Sequence, residues 1–151
     1  MTLGDKMIAE RLKDIRIEND LTQVQMASIL NTTQTSYNRW ENNVELISLK
    51  KLTRVCNYFN TSMDYLVGIT RNNIGNGKHD LDYKVVGNNI KIFRKEKNLS
   101  QKDLAILLNT SQSTISAYEA GKTIILTAFA LEIVKKYNIS LDWLCGRKEK
   151  S

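Results

Sequence analysis

The chain has 151 residues, 42% of them hydrophobic, with 7 glycines, no proline, a formal net charge of +6 and a pI near 9.3. That composition excludes a loop-rich or disordered chain, leaves room for one ordinary domain or two small ones, and makes a polyanionic partner plausible. The 2 cysteines sit far apart in "RVCNYF" and "DWLCG", and no apolar run approaches about 18 residues. A disulfide framework and a membrane partner are therefore not expected; buried thiols and a cytoplasmic location are.

In chain order the reading is helical throughout. Ile8, Leu12, Ile15 and Arg16 share one face of a first helix. Thr22 caps a short second helix carrying Val24, Met26, Ala27 and Leu30. After the turn Asn31-Thr32, Thr33 caps a third helix over 34–42. A fourth, over about 49–59, buries Leu52, Val55, Cys56 and Phe59, and Ser62 starts a fifth with Met63, Tyr65 and Leu66. "RNNIGNGKHDLD", residues 71–82, has no helical periodicity and reads as a flexible linker. Then the pattern returns. Shifted by 78 positions, residues 8–69 lie over 86–147 without a gap, and 17 of the 62 pairs are identical. No stretch alternates with period two. The expectation is an all-α chain of two five-helix domains, 1–70 and 83–151, related by internal duplication.

The third helix of each copy is unusual. At about 100° per residue, Tyr37, Trp40 and Glu41 face inward, while Gln34, Thr35, Asn38 and Arg39 face out. In the second copy Ile115, Tyr118 and Glu119 face in, and Gln112, Ser113, Ser116 and Ala117 face out. A merely solvated face would carry Lys and Glu, which are better helix formers. Gln and Asn suit bidentate contact with adenine, and Arg with guanine, in a DNA major groove. The pattern is that of a base-reading helix, with Trp40 and Tyr118 in the core.

"LTQVQMASILNTTQTSYNRWEN" with "TSMDYLVG", and "LSQKDLAILLNTSQSTISAYEAGK" with "ISLDWLCG", resemble the lambda-repressor-like helix-turn-helix family of the Cro/C1 or XRE type. The resemblance implies double-stranded DNA as partner and no cofactor. It implies base contacts from Gln34, Thr35, Asn38 and Arg39, and from Gln112, Ser113 and Ser116. Gln23 and Gln101 would hold phosphate where helix 2 opens, with Asn42, Asn43 and Lys122 doing so in the loop after the third helix. The first copy departs there, since "ENNVEL" lacks the Gly-Lys of "EAGKT". Arg16 and Arg94 would form structural ion pairs with Glu41 and Glu119. His79 stands alone, so no metal is implied, and "GNG" is too short for a phosphate loop. No carboxylate pair, Cys/His cluster or nucleophile–base spacing suggests an enzyme, and no small-molecule ligand is implied.

Charge is unequally shared. Residues 1–70 hold 8 Lys+Arg and 8 Asp+Glu, whereas residues 83–151 hold 12 and 6, so the second copy should dominate nonspecific attraction to DNA. The expected function is transcriptional repression, with the resemblance pointing to a mobile element such as a phage or the transfer region of a conjugative plasmid. Alternatives are an accessory role at a transfer origin, or an antitoxin or anti-repressor module on the same scaffold. The length leaves no third domain for ligand sensing. Two readers on one chain suggest a monomer that fills a pseudo-palindromic site as an internal dimer, with Tyr65, Leu66, Trp143 and Leu144 as its apolar seam.

Overall fold

The computed structural model describes residues 3–150, in which ten helices and no strand occur. The first unit, up to Lys78, holds α1 (Leu3–Glu18), α2 (Gln23–Ile29), α3 (Gln34–Glu41), α4 (Leu49–Phe59) and α5 (Met63–Leu66). The second, from His79, holds α6 (Tyr83–Glu96), α7 (Gln101–Leu107), α8 (Gln112–Glu119), α9 (Thr127–Tyr137) and α10 (Leu141–Leu144). The chain is all-α and carries the same five-helix arrangement twice. Residues 72–82 form neither helix nor strand. Within them, the Asn73 side chain meets the Thr61 hydroxyl, and the His79 carbonyl accepts from Arg147 Nη1 at 3.3 Å.

Local chemistry sets the helix ends. Thr22, Thr33, Ser100 and Ser111 each accept a backbone N–H from the first turn of the helix they precede. At α2 and α7 the bond is reciprocated, since the Thr22 N–H donates to Gln25 at 2.8 Å and the Ser100 N–H to Asp103 at 2.9 Å. That backbone hydrogen bond from Ser100, with a second from its hydroxyl, holds the Asp103 carboxyl below its ordinary range. Asparagine makes several of the left-handed turns, its short polar side chain tolerating positive φ. Asn31 and Asn109 (φ 53° and 55°) close the α2–α3 and α7–α8 turns, and Asn60 and Asn138 (φ 51° and 52°) end α4 and α9.

Leu12, Met26, Leu30, Tyr37 and Leu52 are fully buried in the first unit, and Ile90, Leu104, Ile115 and Ile133 in the second. Val24 lies on α2 as expected and is 58% exposed, because it lies about 200° of helical turn from Met26. The expected burial of Phe59 needs correction. Phe59 is half-buried and packs edge-on against Tyr58 at 4.8 Å. Of the residues expected to form an apolar seam, Leu66 and Leu144 have no exposed surface and Trp143 has little, whereas Tyr65 is half-buried with the Arg11 guanidinium 4.1 Å from its ring centre; within their own units α5 packs on α1 and α4, and α10 on α6 and α9.

The two copies differ where the first helix crosses the third. Ala9 of α1 is replaced by Gly87 of α6, and a Cβ at Gly87 would lie 2.2 Å from the Tyr118 carbonyl oxygen and 2.9 Å from that of Glu119. Both obstacles are backbone, so the helices must separate to admit a methyl group. We expect Gly87→Ala to destabilise the second unit by about 1–3 kcal/mol, overpacking exceeding the roughly 1 kcal/mol gained in helix propensity. Ala9→Gly should cost about 1 kcal/mol in the first unit. Denaturant unfolding of both variants checks the contrast.

Candidate nucleic-acid interface

Each candidate surface rests on a buried ion pair. Arg16 donates through Nε and Nη2 to the two carboxylate oxygens of Glu41, at 2.9 and 2.7 Å, and its Nη1 donates to the Leu21 carbonyl at 3.0 Å. Arg94 does the same to Glu119, at 2.7 and 3.0 Å, and to the Leu99 carbonyl at 2.8 Å. The side chains are 15% and 4% exposed in the first pair, and 10% and 5% in the second. The bidentate hydrogen bonds raise both guanidinium pKa values. Burial pushes the Glu41 carboxyl up, but hydrogen bonds from Arg16, Tyr37 and Gln23 outweigh it and hold the group below its ordinary value. Burial raises the Tyr37 and Tyr118 hydroxyls.

The glutamates reach on to helix 2 of each unit. Gln23 Nε2 donates to Glu41 Oε1 over a long 3.5 Å, and Gln101 Nε2 to Glu119 Oε1 at 3.3 Å. These contacts orient each amide with its nitrogen inward. In the first unit Gln23 Oε1 then accepts from Asn38 Nδ2 at 3.1 Å. In the second, serine stands at the matching position, and among the described residues no hydrogen bond joins Ser116 to Gln101.

On α3, Gln34, Thr35, Asn38 and Arg39 are all exposed, and on α8 so are Gln112, Ser113 and Ser116. Gln34 and Gln112 are the first residues of their helices. Ser113 Oγ lies 3.0 Å from the capping Ser111 Oγ. Arg39 Nε donates to Glu45 at 3.1 Å.

The loops after these helices keep one shape with different charge. Asn42 caps α3 and its side chain returns to the Asn38 carbonyl at 3.0 Å. Asn43 (φ 59°) takes the left-handed conformation that Gly121 (φ 72°) takes in the second unit. The next N–H closes the same turn in both, Val44 to the Arg39 carbonyl at 2.8 Å and Lys122 to the Ala117 carbonyl at 3.0 Å. The missing Gly-Lys of the first copy therefore removes a cation while leaving the backbone turn intact. Lys122 is exposed.

The sequence profile of the helix-turn-helix family matches residues 12–66 and again 90–144. The chain belongs to the helix-turn-helix family. It is an XRE-type protein with two such regions in tandem, and this family is one of sequence-specific DNA-binding regulators. Antitoxin PezA of Streptococcus pneumoniae serotype 4 (strain ATCC BAA-334 / TIGR4) is 34% identical over 62 residues, which are 41% of this chain and 39% of that protein. The similarity thus spans about two fifths of that relative's length. No solved structure matches the chain. Among the described residues no helix-turn-helix element or other helix is long and apolar enough to cross a membrane, and no cluster of potential metal ligands occurs.

Glu45 and the Asn38–Gln23 bond escaped the sequence reading. Arg39 and Glu45 lie six positions apart, a spacing with no helical signal, and only the left-handed turn at Asn43 brings them together. The pairing of Asn38 with Gln23 spans the helix–turn–helix and has no local pattern either.

A carboxyl held below its ordinary value contributes stability that is complete above that value, near 4.5 for Glu41, and is lost as pH falls through the lower folded value. We expect Glu41→Gln to destabilise the first unit at neutral pH by about 3–5 kcal/mol, because Arg16 keeps its charge without a carboxylate. The difference from the parent should shrink as pH drops below about 4. Unfolding measured from pH 7 to pH 2.5 checks both the size and the direction.

Proposed function

We propose that the chain is a transcriptional repressor whose two units, 1–70 and 83–151 joined by 71–82, read two halves of one pseudo-palindromic DNA site. The observation that carries the proposal is the repeat of one exposed polar helix face, Gln34-Thr35 and Gln112-Ser113, each braced by its own buried arginine–glutamate pair. On this reading Gln34, Thr35, Asn38, Arg39, Gln112, Ser113 and Ser116 contact base edges. Asn42, Asn43 and Lys122 contact phosphate from the loop after the third helix, and Gln23 and Gln101 do so through the backbone N–H groups where helix 2 opens, their side-chain nitrogens being turned inward. Repression works by occupying a promoter, and the resemblance in sequence supports a mobile-element setting. The linker supplies the second reader at high effective concentration, about 10²–10⁴ in avidity over one unit alone. No apolar seam from α5 and α10 is needed.

The similarity to an antitoxin supports a second reading, in which the chain also engages a protein partner as an antitoxin-type module. Gel shifts with fragments of the host genome over a salt series separate the two. A fragment bound sequence-specifically by the intact chain supports repression; a protein partner held with no fragment selected supports the second.

Three measurements follow on the selected site. Gln34→Ala and Gln112→Ala should each weaken specific binding by about 1–3 kcal/mol and relax preference at one base pair; mutants equal to the parent would refute base reading by these residues. Lys122→Ala should weaken all DNA about equally and reduce the salt slope by about one. The mass of the complex should correspond to one chain per minimal site, and two chains on that site would rule out the internal dimer.

A further inference from the structure

Arg39 and Glu45 make a closed ring that the second unit lacks. The Arg39 side chain donates through Nε to Glu45 Oε2 at 3.1 Å, and the Glu45 backbone N–H donates to the Arg39 carbonyl at 3.2 Å. The Val44 N–H donates to the same carbonyl at 2.8 Å. The backbone of the loop therefore holds the root of the Glu45 side chain beside Arg39, within reach of its guanidinium. The two side chains are 51% and 54% exposed. A pair so exposed adds little to stability, so its geometry calls for another use.

That use follows from the guanidinium. Its five N–H donors lie in one planar fork. With Nε committed to Glu45, the two terminal nitrogens remain as a pair of donors, a set that can grip guanine O6 and N7. The nearby negative charge also disfavours a slide of Arg39 onto a phosphate. In the second unit the equivalent positions are Ala117 and Thr123, although the Lys122 N–H closes the same turn on the Ala117 carbonyl. The loop is common to both units and the charged ring belongs to one, so the ring is not what builds the loop.

We propose that Glu45 is a positioning residue that fixes Arg39 for bidentate reading of guanine, giving the first unit a base preference that the second unit does not have. The proposal rests on the reading of α3 as the base-contacting helix. It is tested with the full chain on duplexes carrying the selected site and each base substitution, beside an unrelated duplex of equal length. Arg39→Ala, Glu45→Ala and Glu45→Gln are compared with the parent, with thermal melting confirming that all remain folded. Glu45→Ala should lower the preference for guanine at one base pair by about threefold to tenfold, a share of what a bidentate arginine contact supplies. It should also tighten binding to the unrelated duplex, since an anion has been removed near the phosphates. Glu45→Gln, which keeps an acceptor, should retain part of the preference. Preferences at the base pair read by Gln34 should not change. An unchanged guanine preference in Glu45→Ala, or a selected site tightened more than the unrelated duplex, would overturn the proposal; the pair would then only compete with DNA for Arg39. If Arg39→Ala alters no base preference, Arg39 does not read a base and the proposal fails with it; if Gln34→Ala alters none either, the reading of α3 itself fails. If Arg39→Ala alters one and Glu45→Ala alters none, only the role of Glu45 fails.

Discussion

A glutamate at the C-terminal end of a helix is badly placed. It faces the negative end of the helix dipole, and here it is also buried. Glu41 and Glu119 end α3 and α8 in that position, and one arginine from the first helix of the unit makes each tolerable. The same guanidinium also takes the carbonyl that precedes helix 2. A single planar group thus ties the first helix, the entry to the second and the end of the third. The remaining capacity of the carboxylate goes to Gln23 and Gln101, so the orientation of the helix 2 amide depends on the same pair. The outward helix face is positioned from behind by this one charge, and its own side chains are left exposed.

Most of the scaffold was legible in the sequence because its signals are local or repeated. Thr22, Thr33 and Ser62 accept the N–H groups that a capping residue should, and the 78-residue shift aligned every helix with its counterpart. What the sequence left open has equally local causes. Val24 shares α2 with Met26, but the helical angle takes it to the other face. Leu66 and Trp143 were apolar residues on short helices and so could serve a surface seam or their own core; the sequence does not decide between these, and packing on the first and fourth helices of each unit does. Arg39–Glu45 and Gln23–Asn38 depend on a left-handed turn and on an interhelical approach, neither of which leaves a periodic trace.

The duplicated units have diverged by paired changes. Arg39 and Glu45 of the first correspond to Ala117 and Thr123 of the second. Lys51 and Arg54 of α4 donate to the carbonyls of Asn31 and Ile29, stitching α4 to the end of α2. Phe129 and Glu132 stand at those positions in α9, so the second unit has neither bond. Its first helix instead approaches the third more closely at Gly87. One unit holds its helix-turn-helix with cations on helix ends, the other with closer backbone contact.

The ends of the second unit meet. Arg147, after α10, is almost wholly buried beside Asp142 at 3.7 Å and reaches the carbonyl of His79, before α6. A domain whose first and last residues touch can be moved as a block, since a short peptide can bridge its ends and new ends can be opened in an exposed loop. Circular permutation of this unit should therefore be geometrically permissible, provided that the cut preserves His79. The same closure gives gene duplication a simple unit to copy: a segment whose insertion disturbs little of the chain on either side.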